Sequence, residues 1–165
     1  MTKRKNVDDV TSNIPGSDGQ SRKYGMSTLA VHAGARPDPV TGARGTPIYQ
    51  TTSFVFDDAE HGAELFNLQT FGYVYSRMTN PTVSVFEERV AQLEGGRGAV
   101  ATSSGHAAQF IAAATLMEAG DEFIASRNLY GGSVTQFGVS FPKLGWKCNF
   151  VDPTDPENFE KAMND

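Results

Sequence analysis

From residue 98 onward, short apolar runs alternate with longer stretches of helical pattern, and this alternation restricts the fold more than any other feature of the sequence. The apolar runs cover residues 98–103, 122–126 and 146–151. The helical stretches cover residues 106–118, 132–144 and 156–163, with a break expected near Pro142. Short strands joined by helices are typical of an α/β domain with a largely parallel sheet. The sequence therefore predicts an α/β fold in which helices flank a mostly parallel sheet.

One long helix is predicted upstream of this alternation. Asn80 is a good N-cap, and Pro81 suits the first helical position, where its missing N–H costs nothing. Apolar residues then recur at helical spacings of three and four, at Val83, Phe86, Val90 and Leu93. Gly95 and Gly96 end the pattern. Shorter helical patterns cover residues 28–34 and 59–68, and the Pro- and Gly-rich residues 35–49 between them predict an irregular crossing segment.

Two side chains just before the long helix form a candidate anion clamp. Tyr75 and Arg77 are two residues apart, so in an extended segment they point to the same side. A phenol and a guanidinium together can donate several hydrogen bonds to a phosphate, and Arg can do so bidentately. Local chemistry alone favours a simpler interpretation, in which Arg77 is an ordinary surface residue and Tyr75 a packing residue.

A second candidate lies where the first predicted strand meets a helix, at Ser104, Gly105 and His106. The start of a helix has unpaired backbone N–H groups at the positive end of its dipole, which favours phosphate. A Ser-rich junction is also a common helix cap with no ligand, so the pattern is weak by itself. Tyr130, in the sequence Leu-Tyr-Gly-Gly, is consistent with either a turn residue or a ligand contact.

Composition narrows the class of protein. A net charge of −5 argues against a nucleic-acid or anionic-membrane surface. Cys148 is the only cysteine, which excludes a disulfide framework and a Cys-based metal site and is typical of a reducing cytoplasm. The histidines and carboxylates show no metal-ligand spacing, so no metal is predicted. Residues 1–26 are polar and lack the apolar core of a secretion signal, so we expect a disordered arm there.

The strings YSRMTNPT, FEERVAQLEGG, SSGHAAQ and LYGG together resemble the cysteine/methionine-metabolism family of pyridoxal-phosphate (PLP) enzymes. Within that family the chain is most similar to the O-acetylhomoserine sulfhydrylases, from about residue 28 to its last residue. The resemblance implies the N-terminal arm and the first part of the large domain of a fold-type-I PLP enzyme. On this interpretation, residues 1–26 are the polar arm, residues 27–70 an arm and interface segment, and residues 71–165 part of the PLP-binding domain.

The resemblance also assigns roles to the candidate residues. Ser104, Gly105 and His106 correspond to the loop that holds the PLP phosphate, mainly through the backbone of the last two. Tyr130 corresponds to the tyrosine that stacks on the pyridine ring and helps with proton handling at the amino group, so it is the predicted catalytic residue. Tyr75 and Arg77 correspond to residues that reach the phosphate of a partner subunit, which implies a homo-oligomer with sites shared across a dimer, within a family tetramer.

The implied reaction is a γ-replacement in which O-acetylhomoserine loses acetate and accepts sulfide or a thiol, giving homocysteine or methionine. Two alternatives remain open. One is a sister activity of the same family, such as cystathionine γ-synthase or a γ-lyase. The other is a catalytically inactive chain that acts as an interaction partner through the shared dimer surface.

The lysines of this chain bear on whether the candidate site residues can carry out PLP chemistry by themselves. The six lysines are Lys3, Lys5, Lys23, Lys143, Lys147 and Lys161, and none has the Ser/Thr-rich setting of the family's Schiff-base lysine. PLP chemistry on amino acids needs that lysine.

We therefore expect the isolated 165-residue chain not to turn over O-acetylhomoserine. Sulfide-dependent homocysteine formation by the purified chain, above a blank without protein and with a full-length family enzyme as positive control, would contradict this.

Overall fold

The computed structural model describes residues 13–15 and 21–164, which form two compact units divided between Ala101 and Thr102. Most of the predicted polar arm, residues 1–12 and 16–20, lies outside the described residues. Within that arm, strands β1 (Asn13–Pro15) and β2 (Ser21–Lys23) pair antiparallel, with Ile14 opposite Arg22. No helix in the described part of the chain has the length and apolarity needed to cross a membrane.

The described residues of the first unit form three helices, at the places predicted from the sequence. They are α1 (Met26–His32), α2 (Ala59–Phe66) and α3 (Pro81–Glu94). Asn80 caps α3 through its side chain, and Gly95 ends it in the left-handed conformation at φ 66°, as predicted from the sequence. Residues 35–49 contain no regular element, as their proline and glycine content predicted.

Helices α1 and α3 pack against each other at close range. Leu29 and Ala33 are fully buried at this contact. Gly34 has φ +70°, and a Cβ there would lie 2.7 Å from the carbonyl oxygen of Val85, so only glycine fits. The Arg89 Nε donates to the Ala33 carbonyl at 3.0 Å and so satisfies an acceptor at the end of α1. This junction fixes the direction in which α3 leaves the N-terminal segment.

The second unit alternates helices with two strands. Its elements are α4 (Gly105–Leu116), β3 (Glu122–Ser126), α5 (Gly131–Thr135), β4 (Lys147–Val151) and α6 (Glu157–Lys161). Helix α5 continues into a π-helical turn (Gln136–Ser140) and a 3₁₀ turn (Phe141–Leu144). Pro142 lies in the 3₁₀ turn, at the break predicted from the sequence.

Strands β3 and β4 pair parallel, and an aromatic cluster packs beside them. Phe123 is in register with Cys148, and Ala125 with Phe150. Phe141 is 1% exposed, and its ring lies 5.1 Å from that of Trp146 and 5.3 Å from that of Phe137, between centroids. The parallel pairing and the crossover through α5 confirm the α/β prediction for this unit.

The predicted strand over residues 98–103 is wrong. Residues 98–102 form no regular element, and no strand among the described residues pairs with them. The Ala101 N–H instead donates to the Glu87 Oε1 at 2.7 Å. An apolar run forms a strand only where a neighbouring strand offers a ladder of hydrogen bonds. Here a carboxylate of α3 takes one of those hydrogen bonds.

We expect Phe141→Ala to destabilise the second unit by about 3–5 kcal/mol, because it leaves a cavity between the rings of a closely packed cluster. Urea unfolding followed by Trp146 fluorescence measures this loss. Leu116→Ala is the control, since Leu116 is 83% exposed on α4, and its change should stay within about 0.5 kcal/mol. Equal effects from the two substitutions would mean that Phe141 does not organise the core.

Candidate functional site

The first turn of α4 presents unpaired donors. Ser104 caps the helix, and its Oγ accepts from the Ala107 N–H at 3.1 Å. The N–H groups of Gly105 and His106 have no acceptor among the described residues. The space beside Gly105 is open, because a Cβ built there would meet no atom within 4 Å. The Ser104 hydroxyl can accept from Ala107 and still donate its own proton.

Tyr130 lies just beyond the carboxyl end of β3, where α/β folds usually bind ligands. Its carbonyl accepts from the N–H groups of Ser133 and Val134 at 2.9 and 3.1 Å, so the Tyr130 backbone begins α5. The Tyr130 side chain is 76% exposed. Nearby, Arg127 forms an ion pair with Asp152, which joins the carboxyl ends of the two parallel strands. The Thr154 hydrogen bonds and Arg127 lower the pKa of the Asp152 carboxyl, so it stays ionised in this pair.

The His106 imidazole packs against the Tyr130 ring. Their centroids are 6.0 Å apart, with the planes at 61°, an edge-on arrangement typical of aromatic pairs. Gly132 lies beneath both rings. A Cβ on Gly132 would be 2.6 Å from Tyr130 Cε1 and 2.7 Å from His106 Nε2. The last glycine of the Leu-Tyr-Gly-Gly motif therefore leaves room for the two side chains.

Polar side chains join the starts of α4 and α5. The Gln109 Nε2 donates to the Ser133 Oγ at 2.9 Å, and Ser133 is only 5% exposed. The Gln136 Nε2 donates to the His106 carbonyl at 2.9 Å. These contacts fix Tyr130 relative to the Ser104–His106 loop. Sequence reasoning did not assign roles to Gln109, Ser133 or Gln136, although Gln109 closes the SSGHAAQ string.

Tyr75 and Arg77 belong to the first unit, and the structure brings these two together. The Arg77 Cζ lies 5.3 Å from the centroid of the Tyr75 ring, a cation–π contact. The backbone is not simply extended, as the sequence had suggested, because Tyr75 begins a turn. Its carbonyl accepts from the N–H groups of Met78 and Thr79 at 2.9 and 3.1 Å. Arg77 is exposed, so its donors are open to a ligand.

The other reactive side chains in the described part of the chain form no competing site. Burial raises the pKa of the Cys148 thiol to about 11, so it is a poor nucleophile at neutral pH. In the described ranges, His, Cys, Asp and Glu side chains form no group of three that could hold a metal ion. An open depression of about 750 Å³ along the C-terminal half of α4 is lined by Leu116, Met117 and Phe123 among others, and no candidate residue lines it.

The second unit thus offers groups that are chemically suited to a phosphorylated aromatic ligand. The start of α4 offers N–H groups and a hydroxyl for a dianionic phosphate, at the positive end of a 12-residue helix. An exposed phenol ring, fixed by its neighbours, is available to cover a heteroaromatic ring. The open space beside Gly105 lets a ligand approach the backbone closely.

Comparison with known proteins also points to PLP-dependent enzymes. The family described as Cys/Met metabolism PLP-dependent enzyme matches residues 27–165. The O-acetyl-L-homoserine sulfhydrylase of Leptospira meyeri is 51% identical over 151 residues, which are 92% of this chain and 34% of that protein. The O-acetyl-L-homoserine sulfhydrylase 1 of Thermus thermophilus is 53% identical over 135 residues, 81% of this chain and 32% of that protein. The chain therefore spans about a third of the length of these relatives.

Solved structures agree in fold. An O-acetylhomoserine (thiol)-lyase of Campylobacter jejuni, solved with pyridoxyl-lysine phosphate, superposes with a TM-score of 0.81 and 34% identity, over 86% of this chain and 35% of that one. The cystathionine gamma-lyase of Lactobacillus plantarum complexed with L-serine superposes with a TM-score of 0.74 and 30% identity, over 86% of this chain and 34% of that one.

We expect Gly132→Ala to displace His106 and Tyr130, since the new methyl group would lie within about 3 Å of both side chains. The NMR resonances of the two rings should shift, and their mutual nuclear Overhauser contacts should weaken. Gly131→Ala is a matched control, because a Cβ at Gly131 meets nothing within 4 Å. Unchanged ring resonances in Gly132→Ala, or equal shifts in both variants, would show that Gly132 does not set the two rings.

Proposed function

Because the chain belongs to the Cys/Met metabolism family of PLP-dependent enzymes, we propose that it supplies the phosphate loop and the ring-stacking residue of a PLP site. The reaction is the replacement of the acetate of O-acetylhomoserine by sulfide or a thiol, giving homocysteine or methionine. The relatives at 51% and 53% identity that are named as sulfhydrylases support this activity over the sister activities of the family. The cystathionine gamma-lyase structure is only 30% identical, so it supports a γ-lyase activity less strongly than the sulfhydrylases support theirs.

One observation carries the proposal: the unpaired N–H groups at the start of α4 and the exposed Tyr130 ring are held beside each other through His106. A ligand with a phosphate on a short arm and a flat heteroaromatic ring matches that pair. A simple helix cap would explain the serine, but it would not explain an exposed aromatic ring fixed next to it. PLP fits both ends of the arrangement.

Each residue has a definite task in this site. Gly105 and His106 donate backbone N–H groups to the phosphate, and Ser104 donates its hydroxyl. Tyr130 would stack on the pyridine ring, and its phenol would hold a proton near the substrate amino group. When bound, PLP supplies the electron sink that stabilises negative charge next to the substrate's amino-bearing carbon. The protein residues orient that ring and keep the phosphate anchored.

Tyr75 and Arg77 complete the proposal at the level of the oligomer. We assign them to the phosphate of a partner subunit, so that a homodimer, within a tetramer, forms shared sites. Residues 27–70 then act as an interface segment after a polar arm over residues 1–26, and residues 71–165 as part of the PLP-binding domain. The exposed guanidinium beside a phenol supports the anion contact. The single cysteine supports a cytoplasmic setting.

The activity is tested in the full-length protein that carries these residues. Purified with PLP, it should form homocysteine from O-acetylhomoserine and sulfide. It should do so at a higher kcat/KM than it forms cystathionine from the same donor and cysteine, or cleaves cystathionine. A preference for either cystathionine reaction would replace the sulfhydrylase assignment with the sister activity. Absence of PLP from the purified protein would reject the proposal as a whole.

Arg77→Ala should weaken PLP binding by about 10- to 150-fold, because a charge-assisted hydrogen bond contributes about 1.5–3 kcal/mol. Folding stability should change by less than about 1 kcal/mol, since the exposed cation–π contact with Tyr75 is weak. Equilibrium dialysis of PLP and urea unfolding measure the two effects.

Arg97→Ala is the matched control, because Arg97 is another exposed arginine of the same unit. It should leave PLP affinity unchanged. If Arg77→Ala and Arg97→Ala have the same affinity for PLP as the wild-type protein, Arg77 is an ordinary surface residue and the clamp does not exist.

A further inference from the structure

Asn80 is a buried polar residue three positions after Arg77, and it makes more hydrogen bonds than a helix cap needs. Asn80 is only 6% exposed. The Oδ1 accepts from the Thr82 N–H at 2.9 Å, which is the cap of α3. The Nδ2 donates to the Tyr49 carbonyl and to the Ser76 Oγ, both at 3.0 Å.

The two donor contacts are what distinguishes asparagine at this position. Ser, Thr and Asp cap helices about as well as Asn, because the cap uses only an acceptor oxygen. None of them can donate two hydrogen bonds from the place of the Nδ2. The capping requirement therefore explains the oxygen of Asn80 and leaves its amide nitrogen unexplained.

The Asn80 amide nitrogen holds Ser76, the residue between Tyr75 and Arg77. Ser76 accepts from Asn80, and its own Oγ donates to the Thr51 carbonyl. The Ser76 N–H donates to the Thr52 carbonyl at 2.9 Å. Ser76 is thus fixed through its backbone and its side chain. The turn that begins at Tyr75 has little freedom to rotate while these bonds persist.

The second donor contact of Asn80 ties the same region to the crossing segment. Tyr49 accepts from Asn80 through its carbonyl, and its N–H donates to the Thr82 Oγ1 at 2.9 Å. The Thr82 hydroxyl in turn donates to the Pro47 carbonyl at 2.8 Å. The start of α3 therefore anchors residues 47–49 as well as the turn, through hydrogen bonds from two neighbouring side chains.

We propose that Asn80 is a positioning residue for Arg77 and Tyr75: by fixing Ser76, its amide nitrogen sets the direction in which the guanidinium and phenol face the PLP phosphate. This inference rests on the proposed phosphate contact of Arg77. A bidentate guanidinium contact depends on direction as well as distance, so a turn that rotates loses affinity although Arg77 remains present. In this proposal Asn80 acts through Ser76 and makes no contact of its own with the phosphate.

Two substitutions separate the donor role from the cap. Asn80→Asp keeps the shape and the acceptor but removes both donors and adds a charge. Asn80→Ser keeps a capping oxygen, removes both donors and adds no charge, so it remains informative if the aspartate variant fails to fold. Asp58→Ala is the matched control, because Asp58 caps α2 by accepting from the His61 N–H at 2.8 Å and has no part in the Tyr75–Thr79 turn.

The measurements are PLP affinity by equilibrium dialysis and amide hydrogen exchange at Ser76, Met78 and Thr79, on the full-length protein carrying these residues. In both Asn80 variants, PLP affinity should fall by about tenfold or more, and the three amides should exchange faster. Asp58→Ala should change neither. The double variant Arg77→Ala/Asn80→Ser should bind PLP no more weakly than Arg77→Ala, because residues that act through one another show non-additive losses.

The failures are distinguishable. If Arg77→Ala weakens PLP binding but the Asn80 variants do not, the positioning role is overturned and the proposed function stands. If the losses of Arg77→Ala and Asn80→Ser add in full, Asn80 acts independently of Arg77, which also overturns it. If no variant changes PLP affinity, the phosphate contact of Arg77 fails first, and the inference fails with it.

Discussion

The first turn of a helix has backbone N–H groups with no partner inside the helix, and the way in which side chains meet this shortage organises both units of the chain. The three longest helices all begin with a side-chain cap, from Asp58, Asn80 and Ser104. At α2 the cap is only local. At α3 the capping side chain also holds the neighbouring turn, and at α4, as at α2, the first two N–H groups have no acceptor among the described residues. The proposed cofactor contacts thus arise where helix starts leave polar groups to be used.

The rest of the second unit serves to hold those groups still. The aromatic cluster around Phe141 and the parallel pairing of β3 with β4 fix where the strand ends lie. Tyr130 follows one of those ends, and the Arg127–Asp152 ion pair joins it to the other. The contacts of Gln109 and Gln136 then align α5 with α4. A stacking ring needs such support because an exposed tyrosine is otherwise free to change rotamer.

Local sequence predicted most elements because their signals are short in range. The boundaries of α3 follow from Asn80, Pro81 and Gly95, whose preferences depend on backbone geometry within one turn. The strand at residues 98–103 was predicted wrongly for the opposite reason, since strand formation depends on a partner that is distant in sequence. The Glu87 carboxylate accepts the Ala101 N–H, and no local sequence pattern predicts that contact.

The sequence by itself determined the order of helices and strands from α4 onward, the boundaries of α3, and the family to which the chain belongs, because these depend on neighbouring residues and on motifs read along the chain. Only the tertiary structure decided what the motif residues do for one another. It placed His106 on Tyr130 above Gly132, and it gave the Asn80 amide two acceptors at Tyr49 and Ser76. Tyr49 is 31 residues away from Asn80 along the chain. Contacts of this kind depend on which separate segments folding brings together. The periodicity within one segment does not predict them.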